Sequence, residues 1–209
     1  MKIIEPSFRW LDGKLPDGHA ILANIATAGR VCYQSEPNTS DAFFVLKLIE
    51  RGHESVLEHE KISVRIICDR GVSHELVRHR IASYSQESTR YCNYSKDKFG
   101  NELTFIRPPW VDMNAEESSL SELWLVNMGD AERCYIYMIE HGWTPEQARS
   151  ILPNSLKTEV VMTANIREWR HFFRLRCSPA AHPQMRQIAT MMLAEFKNAV
   201  PVIFDDLEV

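Results

Sequence analysis

Two segments in the first quarter of the chain carry apolar residues at helical spacing. Residues 18–29 and 41–51 both follow this pattern, and Phe44 and Leu48 stand one helical turn apart in the second segment. Ser40 offers a hydroxyl that can cap the second segment, and Gly52 is a residue type that often follows a helix end. The pattern predicts two helices.

The next part of the chain changes to strand-like spacing. Residues 61–66 alternate between polar and apolar side chains, which is typical of a half-buried strand. Gly71 is expected to break this strand, and residues 73–80 predict a helix after it. Residues 81–95 are polar and aromatic and predict a structured loop, whereas residues 103–106 predict a short strand.

The longest helical pattern covers residues 114–141, where apolar residues recur at spacings of three and four. A shorter helix is predicted after it, with Thr144 as its cap and Pro145 at its first position. This shorter helix is expected to end near Pro153.

The last third of the chain predicts a strand and two helices. Residues 159–164 are apolar and β-branched enough for a strand, and a helix over 166–176 follows it. Asn165 and Glu168 resemble a capping box at the start of this helix. Its residues divide into a buried face and a polar face, namely Trp169, Phe172 and Phe173 against Arg167, His171 and Arg174. A final helix is predicted over 183–199.

These elements predict a mixed α+β fold that is richer in helix than in strand. We expect a small central β-sheet flanked by several helices, because too few strands alternate with helices for a doubly wound sheet. A chain of 209 residues can bury a sizeable core, and residues 1–209 are expected to form a single domain.

Composition and charge narrow the classes of function. The formal net charge is −4, yet arginines concentrate in residues 65–90 and 146–186. Local basic clusters on an acidic chain favour a pocket for small anions over a nucleic-acid surface. The sequence shows neither a membrane-spanning apolar run nor a signal peptide, so a cytoplasmic protein without membrane or nucleic-acid partners is expected. The five cysteines are widely spaced and predict no zinc site.

The strongest local signal is Arg78-His79-Arg80, followed after seven residues by Ser88 and then by Arg90. Guanidinium groups suit phosphate or carboxylate ligands. On the predicted helix, Glu75, Arg78 and His79 would share one face, whereas Arg80 would point elsewhere and could serve a second anion. The alternative interpretation is a solvated basic helix end that interacts with the helix dipole.

The segment from Arg78 to Tyr91 resembles the signature of the flavin-dependent thymidylate synthase family nearly end to end. Upstream, residues 53–59 resemble the family's His-x-Ser/Thr-x-x-Glu-His segment. Further matches follow in order downstream, at Arg149, Asn165-x-Arg167, Leu175-Arg176 and His182. The resemblance covers roughly residues 30 to 195.

The resemblance implies roles for individual residues. Flavin contacts are implied for Ser55, Glu58, Arg78, His79, Arg80, Ile81, Asn165, Arg167, His171, Leu175 and His182. A dUMP site is implied for Glu75, Arg78, Gln86, Glu87, Ser88, Thr89, Arg90, Arg149 and Arg176. Taken singly, these residues also have ordinary structural alternatives: Ser55 could cap a turn, Glu58 could pair with a lysine, and His182 could cap the final helix.

The sequence departs from the family pattern in three places. Many members carry Asn-Glu where this chain has Ser85-Gln86, and some carry Gln at the position of Glu75. A carboxylate donates no hydrogen bond, so Glu75 is expected to orient Arg78 rather than to donate to the nucleotide. The spacing from Cys177 to His182 is also longer than in some members.

The implied reaction is the reductive methylation of dUMP to dTMP. The resemblance implies FAD as cofactor, 5,10-methylenetetrahydrofolate as carbon donor, and a reduced nicotinamide, taken as NADPH, as reductant. Arg176 and Ser88 are the expected catalytic residues: Arg176 stabilises negative charge on the uracil ring, and Ser88 positions the substrate, since a serine nucleophile would need an adjacent base. The family also implies a homotetramer with shared active sites.

Two other functions remain compatible with parts of the sequence. A nucleic-acid-binding module would use the arginines with Tyr84 and Tyr91 for phosphate and stacking contacts. A flavin-binding reductase would keep Arg78-His79-Arg80 but would not need the segment from Ser88 to Arg90.

Overall fold

The computed structural model describes residues 1–114, 116 and 119–208. The helices are α1 Gly18–Tyr33, α2 Asp41–Glu50, α3 Arg70–Leu76, α4 Leu120–Glu140, α5 Pro145–Ala148, α6 Ile166–Arg176 and α7 Pro183–Ala199. Short 3-10 helices cover Glu54–His59, Asp97–Phe99 and Arg149–Ile151. The strands are β1 Lys2–Ile4, β2 Ser7–Trp10, β3 Lys61–Asp69, β4 Ala82–Gln86, β5 Thr104–Ile106 and β6 Lys157–Asn165. The mixed α and β composition expected from the sequence is confirmed.

Strand pairing produces two small sheets. Strand β1 pairs in parallel with β5, with Lys2 opposite Thr104, and the other sheet has the order β2-β3-β6-β4. Every second side chain of β3 is buried up to Cys68, as the alternation of residues 61–66 predicts, and β6 shows the same burial pattern along its whole length.

The chain divides into two compact units. Unit 1 comprises Met1–Ser7, Ile66–Leu76 and Ser85–Val160, and unit 2 comprises Phe8–Arg65, Val77–Tyr84 and Val161–Val209. The core of unit 1 includes Tyr94, Leu103, Phe105, Tyr135 and Leu156. The core of unit 2 includes a connected group of aromatic rings, in which each ring packs against at least one other, namely Trp169, Phe172, Phe173, Phe196 and Phe204.

The predicted N-termini of two helices are confirmed by their capping contacts. Ser40 Oγ accepts a hydrogen bond from the backbone N–H of Phe43 at the start of α2 (3.3 Å). Thr144 and Gln147 form a reciprocal capping box at the start of α5. These contacts satisfy backbone donors that the first helical turn leaves without partners.

The predictions around Gly71 were wrong in two respects. Strand β3 continues to Asp69, and helix α3 starts at Arg70, so Gly71 lies inside this helix. The carboxylate of Asp69 accepts the backbone N–H of Val72 (2.7 Å) and so caps the helix earlier than predicted. Helix α3 also ends at Leu76 rather than Arg80, and Glu75, Arg78 and His79 therefore do not share a helix face.

The structured loop predicted over residues 81–95 is instead a strand at its start. Strand β4 covers Ala82–Gln86 and pairs with β6, and just beyond it the backbone N–H of Glu87 donates to the carbonyl of Glu159 (2.9 Å). Pairing to a distant strand supplies backbone partners that local composition does not reveal.

Helix α4 begins at Leu120, six residues after the predicted start. Ser119 Oγ caps it by accepting the backbone N–H of Glu122 (3.1 Å). Positions 115, 117 and 118, which the prediction placed in this helix, lie outside the described residues. In the part of the chain that the structure describes, none of the helices has the length and apolar character needed to cross a membrane.

Candidate functional site

Helix α6 is amphipathic, and its two faces explain how it presents polar groups. Ile166, Trp169, Phe172 and Phe173 are buried, and the indole N–H of Trp169 donates to the carbonyl of Ile62 (3.0 Å), which fixes the helix against β3. The side chain of Asn165 accepts the backbone N–H of Glu168 (2.8 Å), as predicted for the cap. Arg167, His171 and Arg174 are consequently held on the exposed face.

A cavity of about 540 Å³ lies at the exposed face and N-terminus of α6. Its lining includes five residues for which the resemblance implies flavin contacts, namely Glu58, Ile81, Asn165, Arg167 and His171. Glu54, Glu168 and Arg174 complete the lining. A second cavity of about 600 Å³ shares Glu58, Ile81 and Asn165 with the first and extends along residues 59–61, 82–83 and 163–164.

Ion pairs organise the charged groups of the first cavity. Arg167 donates to Glu58 (2.6 Å), so the ion pair considered for Glu58 exists, with an arginine in place of a lysine. Arg174 donates to Glu54 (2.9 Å), which also accepts from the fully buried Arg170 (3.3 Å). Burial by itself raises the pKa of Glu54, but the hydrogen bond from Arg174 and the charge of Arg170 lower this pKa overall.

The donors and the apolar surface of this cavity suit a flavin nucleotide. Arg167 lies at the positively polarised N-terminus of α6 and Arg174 lies in its last turn, and each can present a planar fork of donors to a phosphate group. Ile81 is 67% exposed and provides apolar surface beside these donors. The residues present therefore fit a group that combines anionic phosphates with an aromatic ring.

His79 is the most buried of the predicted site residues in unit 2, with 4% of its surface exposed. Its Nδ1 lies 3.1 Å from Oε1 of the buried Glu168, and its Nε2 lies 3.0 Å from Nε of Arg176. Phe172 packs edge-on against the ring at 5.0 Å between centroids, and the hydroxyl of Tyr84 donates to the carbonyl of His79 (2.9 Å). The ring is thus held at both nitrogens and against Phe172, and Tyr84 holds the backbone of the same residue.

These two contacts fix the protonation of the His79 ring. A guanidinium Nε only donates, so Nε2 of His79 must be an acceptor, and the proton of the neutral ring resides on Nδ1, where it donates to Glu168. Burial lowers the pKa of His79, the hydrogen bond with Glu168 opposes this shift, and the positive charge of Arg176 adds to it. His79 is therefore neutral in this arrangement.

His79, Glu168 and His171 also form a group whose potential metal-ligating atoms lie within 4.8 Å of one another. Coordination through Nδ1 of His79 would move the ring proton to Nε2, where it would face the donating Nε of Arg176. The arrangement of hydrogen bonds disfavours a cation at this position.

The remaining predicted flavin contacts of unit 2 are exposed. Ser55 lies on the 3-10 helix Glu54–His59, and Arg78 and Arg80 lie in the segment between α3 and β4. Leu175 is near the end of α6. His182 occupies the N-cap position of α7, where its backbone carbonyl accepts the N–H of Arg186 (2.9 Å) while its side chain makes no capping hydrogen bond.

In unit 1, the side chains of Gln86 and Glu87 hold the segment that carries the predicted nucleotide contacts. The amide nitrogen of Gln86 donates to Ser73 Oγ (2.9 Å) and Thr158 Oγ1 (3.2 Å). Glu87 accepts from the hydroxyl of Tyr94 (2.8 Å) and from Lys157 (2.9 Å). These contacts attach the end of β4 to neighbouring elements, so both side chains shape the segment.

The segment from Ser88 to Arg90 presents a hydroxyl beside basic groups. Ser88 Oγ accepts the backbone N–H of Arg90 (3.4 Å), and Arg149 lies 3.5 Å from the buried Thr89 hydroxyl. The guanidinium of the exposed Arg90 stacks over Tyr91 at 5.2 Å from the ring centroid. Glu75 lies half-buried on α3.

Sequence analysis missed Glu168 and Glu54 as members of the site. Glu168 was predicted only as a helix-capping residue, but its carboxylate contacts His79. It precedes the core residue Phe172 by one helical turn, so both residues lie on the same buried face of α6. A carboxylate on a buried face needs a hydrogen-bond partner, and this spacing was the available signal. No comparable signal identified Glu54.

The chain is similar to a known protein family and to several of its members. A family model described as thymidylate synthase complementing protein matches residues 19–202. A flavin-dependent thymidylate synthase of Geobacter sulfurreducens is 37% identical over 194 residues, which cover 88% of this chain and 81% of the relative. A protein of the same name from Mycobacterium sp. (strain JLS) is 34% identical over 215 residues, with coverages of 92% and 82%. One from Pyrococcus horikoshii is 39% identical over 161 residues, with coverages of 75% and 64%.

Proposed function

Because this chain belongs to the flavin-dependent thymidylate synthase family, we propose that it converts dUMP to dTMP. The carbon donor is 5,10-methylenetetrahydrofolate, and the reductant is NADPH. The observation that carries this proposal is the cavity at α6, where Glu58, Ile81, Asn165, Arg167 and His171 line one volume.

FAD is the proposed cofactor, and when bound it supplies the redox chemistry of the reaction. Arg167 and Arg174 bind its phosphates by exchanging the carboxylates of Glu58 and Glu54 for phosphate oxygens. Ser55, Arg78, Arg80, Leu175 and His182 supply further contacts from the exposed surface of unit 2.

Most of the proposed dUMP contacts are residues of unit 1. Arg90 and Arg149 hold its phosphate through charge-assisted hydrogen bonds, and Ser88 positions it through its hydroxyl. Thr89, Gln86 and Glu87 keep this segment in shape through the contacts with Arg149, Ser73 and Tyr94. Glu75 and Arg78 complete the proposed set.

Arg176 supplies electrostatic catalysis. Methylation at C5 requires electron density to accumulate along the edge of the uracil ring, and a fixed guanidinium stabilises this charge. The Nε contact with His79 restrains the guanidinium plane, which is the condition for a preorganised cation. Ser88 lacks a contact with a general base among the described residues, which supports positioning as its role.

The family model matches residues 19–202, which include most of both compact units, and this match supports a single functional domain over residues 1–209. A homotetramer in the cytoplasm, without nucleic-acid or membrane partners, completes the proposal. The shared active sites of such an assembly would let residues from different subunits act on one substrate.

Purified protein incubated with FAD, NADPH, 5,10-methylenetetrahydrofolate and dUMP tests the proposal. We expect a yellow protein that releases FAD on denaturation and forms dTMP in the complete mixture. Flavin binding and NADPH oxidation without dTMP would instead identify a flavin-binding reductase, and a protein that takes up no flavin would contradict the proposal.

A further inference from the structure

Glu168, His79 and Arg176 form a continuous chain of hydrogen bonds within unit 2. The carboxylate of Glu168 contacts Nδ1 of His79 at 3.1 Å, and Nε of Arg176 contacts Nε2 of the same ring at 3.0 Å. Glu168 and His79 are 7% and 4% exposed, respectively, so solvent does not readily replace either partner.

Only one arrangement of donors and acceptors satisfies both hydrogen bonds of the His79 ring. Arg176 donates at Nε2, which leaves the ring proton on Nδ1, and a proton on Nδ1 needs an acceptor on the far side of the ring. The carboxylate of Glu168 is that acceptor. If Glu168 were neutral and able to donate, the ring could instead carry its proton on Nε2, which would then face the N–H of Arg176.

We propose that Glu168 is a positioning residue for Arg176, which it orients through His79 by holding the ring in the tautomer that accepts the guanidinium N–H. This inference rests on the proposed function for the catalytic role of Arg176. The hydrogen-bonded chain itself rests on the structure alone.

The surroundings of Glu168 distinguish this role from helix capping. A capping-box glutamate would turn its carboxylate toward the backbone N–H of the cap residue Asn165. Here the cap hydrogen bond runs only from the backbone of Glu168 to Asn165, and the carboxylate approaches His79. Phe172, one turn further along α6, packs against the same ring and fixes its plane.

Glu168→Gln tests the proposal because it keeps the size of the side chain but no longer favours one tautomer of His79. The amide can accept from Nδ1–H through its oxygen but can also donate to an unprotonated Nδ1, so both tautomers gain a partner. We expect nitrogen-15 spectra of histidine-labelled protein to show protonated Nδ1 at His79 in the wild type and a mixture in the variant. The His79 signal is assigned by its loss in His79→Gln.

Activity gives the second measurement. Single-turnover dTMP formation is expected to fall on the order of 10- to 100-fold in Glu168→Gln, the range that follows removal of groups that orient metal-bound histidines. Flavin reduction by NADPH should change much less, and the Nε proton of Arg176 should exchange faster with solvent. Ser40→Ala, which removes the cap of α2 in the same unit, is the matched control and should leave the tautomer and the dTMP rate unchanged.

Each outcome decides the proposal. Protonated Nε2 at His79 in the wild type, or an unchanged tautomer and dTMP rate in Glu168→Gln, would overturn it. If Glu168→Gln does not fold, Glu168→Asp, whose shorter side chain withdraws the carboxylate from Nδ1, takes its place in both measurements, with the same results supporting or overturning the proposal. A wild-type protein that forms no dTMP would refute the proposed function, whereas the spectra would still establish whether Glu168 sets the His79 tautomer.

Discussion

Arg176 is the last residue of α6, and the packing of that helix determines where its side chain lies. Trp169, Phe172 and Phe173 are fully buried, and the buried His79 accepts the Nε proton of Arg176. A lysine keeps the positive charge but loses both this contact and the planar fork of donors. Position and planarity, rather than charge alone, are therefore the properties that Arg176 adds.

In Arg176→Lys we expect dTMP formation to fall on the order of 100-fold or more, while the flavin remains bound. Flavin reduction should suffer less because it does not require an activated uracil. Stopped-flow absorbance measures the reduction, and single-turnover quench measures dTMP. Arg186→Lys on α7 is the control substitution and should leave both steps intact. Equal losses in the two steps would exclude Arg176 as the group that activates the pyrimidine.

Ser88 accepts a backbone N–H from Arg90, which is the geometry of a positioning hydroxyl. Ser88→Ala is accordingly expected to weaken dUMP binding while retaining measurable dTMP formation. Titration of dUMP and single-turnover assays at saturating dUMP separate the two effects. Normal binding of FAD and dUMP with no detectable turnover would favour covalent catalysis by this serine.

Arg149 lies beside the buried Thr89 at the proposed phosphate site. Loss of one charge-assisted phosphate contact should cost about 1.5–3 kcal/mol, so Arg149→Ala should weaken dUMP binding strongly. FAD binding should change little because its proposed residues lie in unit 2. Calorimetric titration of both ligands is the measurement, with Arg133→Ala on the exposed face of α4 as control. Equal weakening of both ligands would indicate a folding defect or a misplaced site.

At the scale of elements, Glu54 links the 3-10 helix Glu54–His59 to α6 through Arg170 and Arg174. Because the pKa of Glu54 is lowered from 4.5 in the folded state, this group stabilises the fold above that pH. Its contribution should disappear as the pH falls through the lowered pKa, when the carboxyl becomes protonated in folded and unfolded chains alike.

Glu54→Gln should consequently lower the free energy of unfolding by about 1–3 kcal/mol near neutral pH. The difference from wild type should shrink below about pH 4.5. Urea unfolding at fixed protein concentration measures it. Glu50→Gln breaks the exposed pair with Lys47 and should change stability by less than about 0.5 kcal/mol at any pH. A difference for Glu54→Gln that persists undiminished in acid would show that the ion pairs are not its cause.

The same scale shows where sequence patterns suffice. The capping signals at Ser40, Thr144 and Asn165 are local, and the helices that they start were predicted within a few residues. Strand β4 was missed because its backbone partners lie on β6, more than seventy residues away. The contact between His79 and Glu168 spans a similar separation, so its existence depends on tertiary structure. The family resemblance identified His79 as a site residue, but it could not show which side chains hold its ring.

At the scale of the whole molecule, the surface of α4 bears on the proposed assembly. Leu120, Leu123 and Val126 on its first two turns are 87%, 58% and 50% exposed. Adjacent exposed apolar side chains of this size are more typical of an interaction surface than of a solvated helix. Further along, the exposed pair Asp130–Arg133 gives the helix a polar surface.

We therefore expect the purified protein to form a homotetramer of 24.2-kDa chains, with the first two turns of α4 in a subunit interface. Leu123→Glu places a charge among these apolar side chains and should shift the assembly toward smaller species, because burying an unpaired carboxylate opposes association. Native mass spectrometry and light scattering across a dilution series measure the shift. Glu140→Lys alters the charge at the opposite end of α4 and is the matched control.

If active sites are shared between subunits, dTMP formation should decline together with the tetramer as Leu123→Glu is diluted. A wild-type protein that is monomeric at all concentrations and still forms dTMP would contradict both the assembly and the sharing of sites.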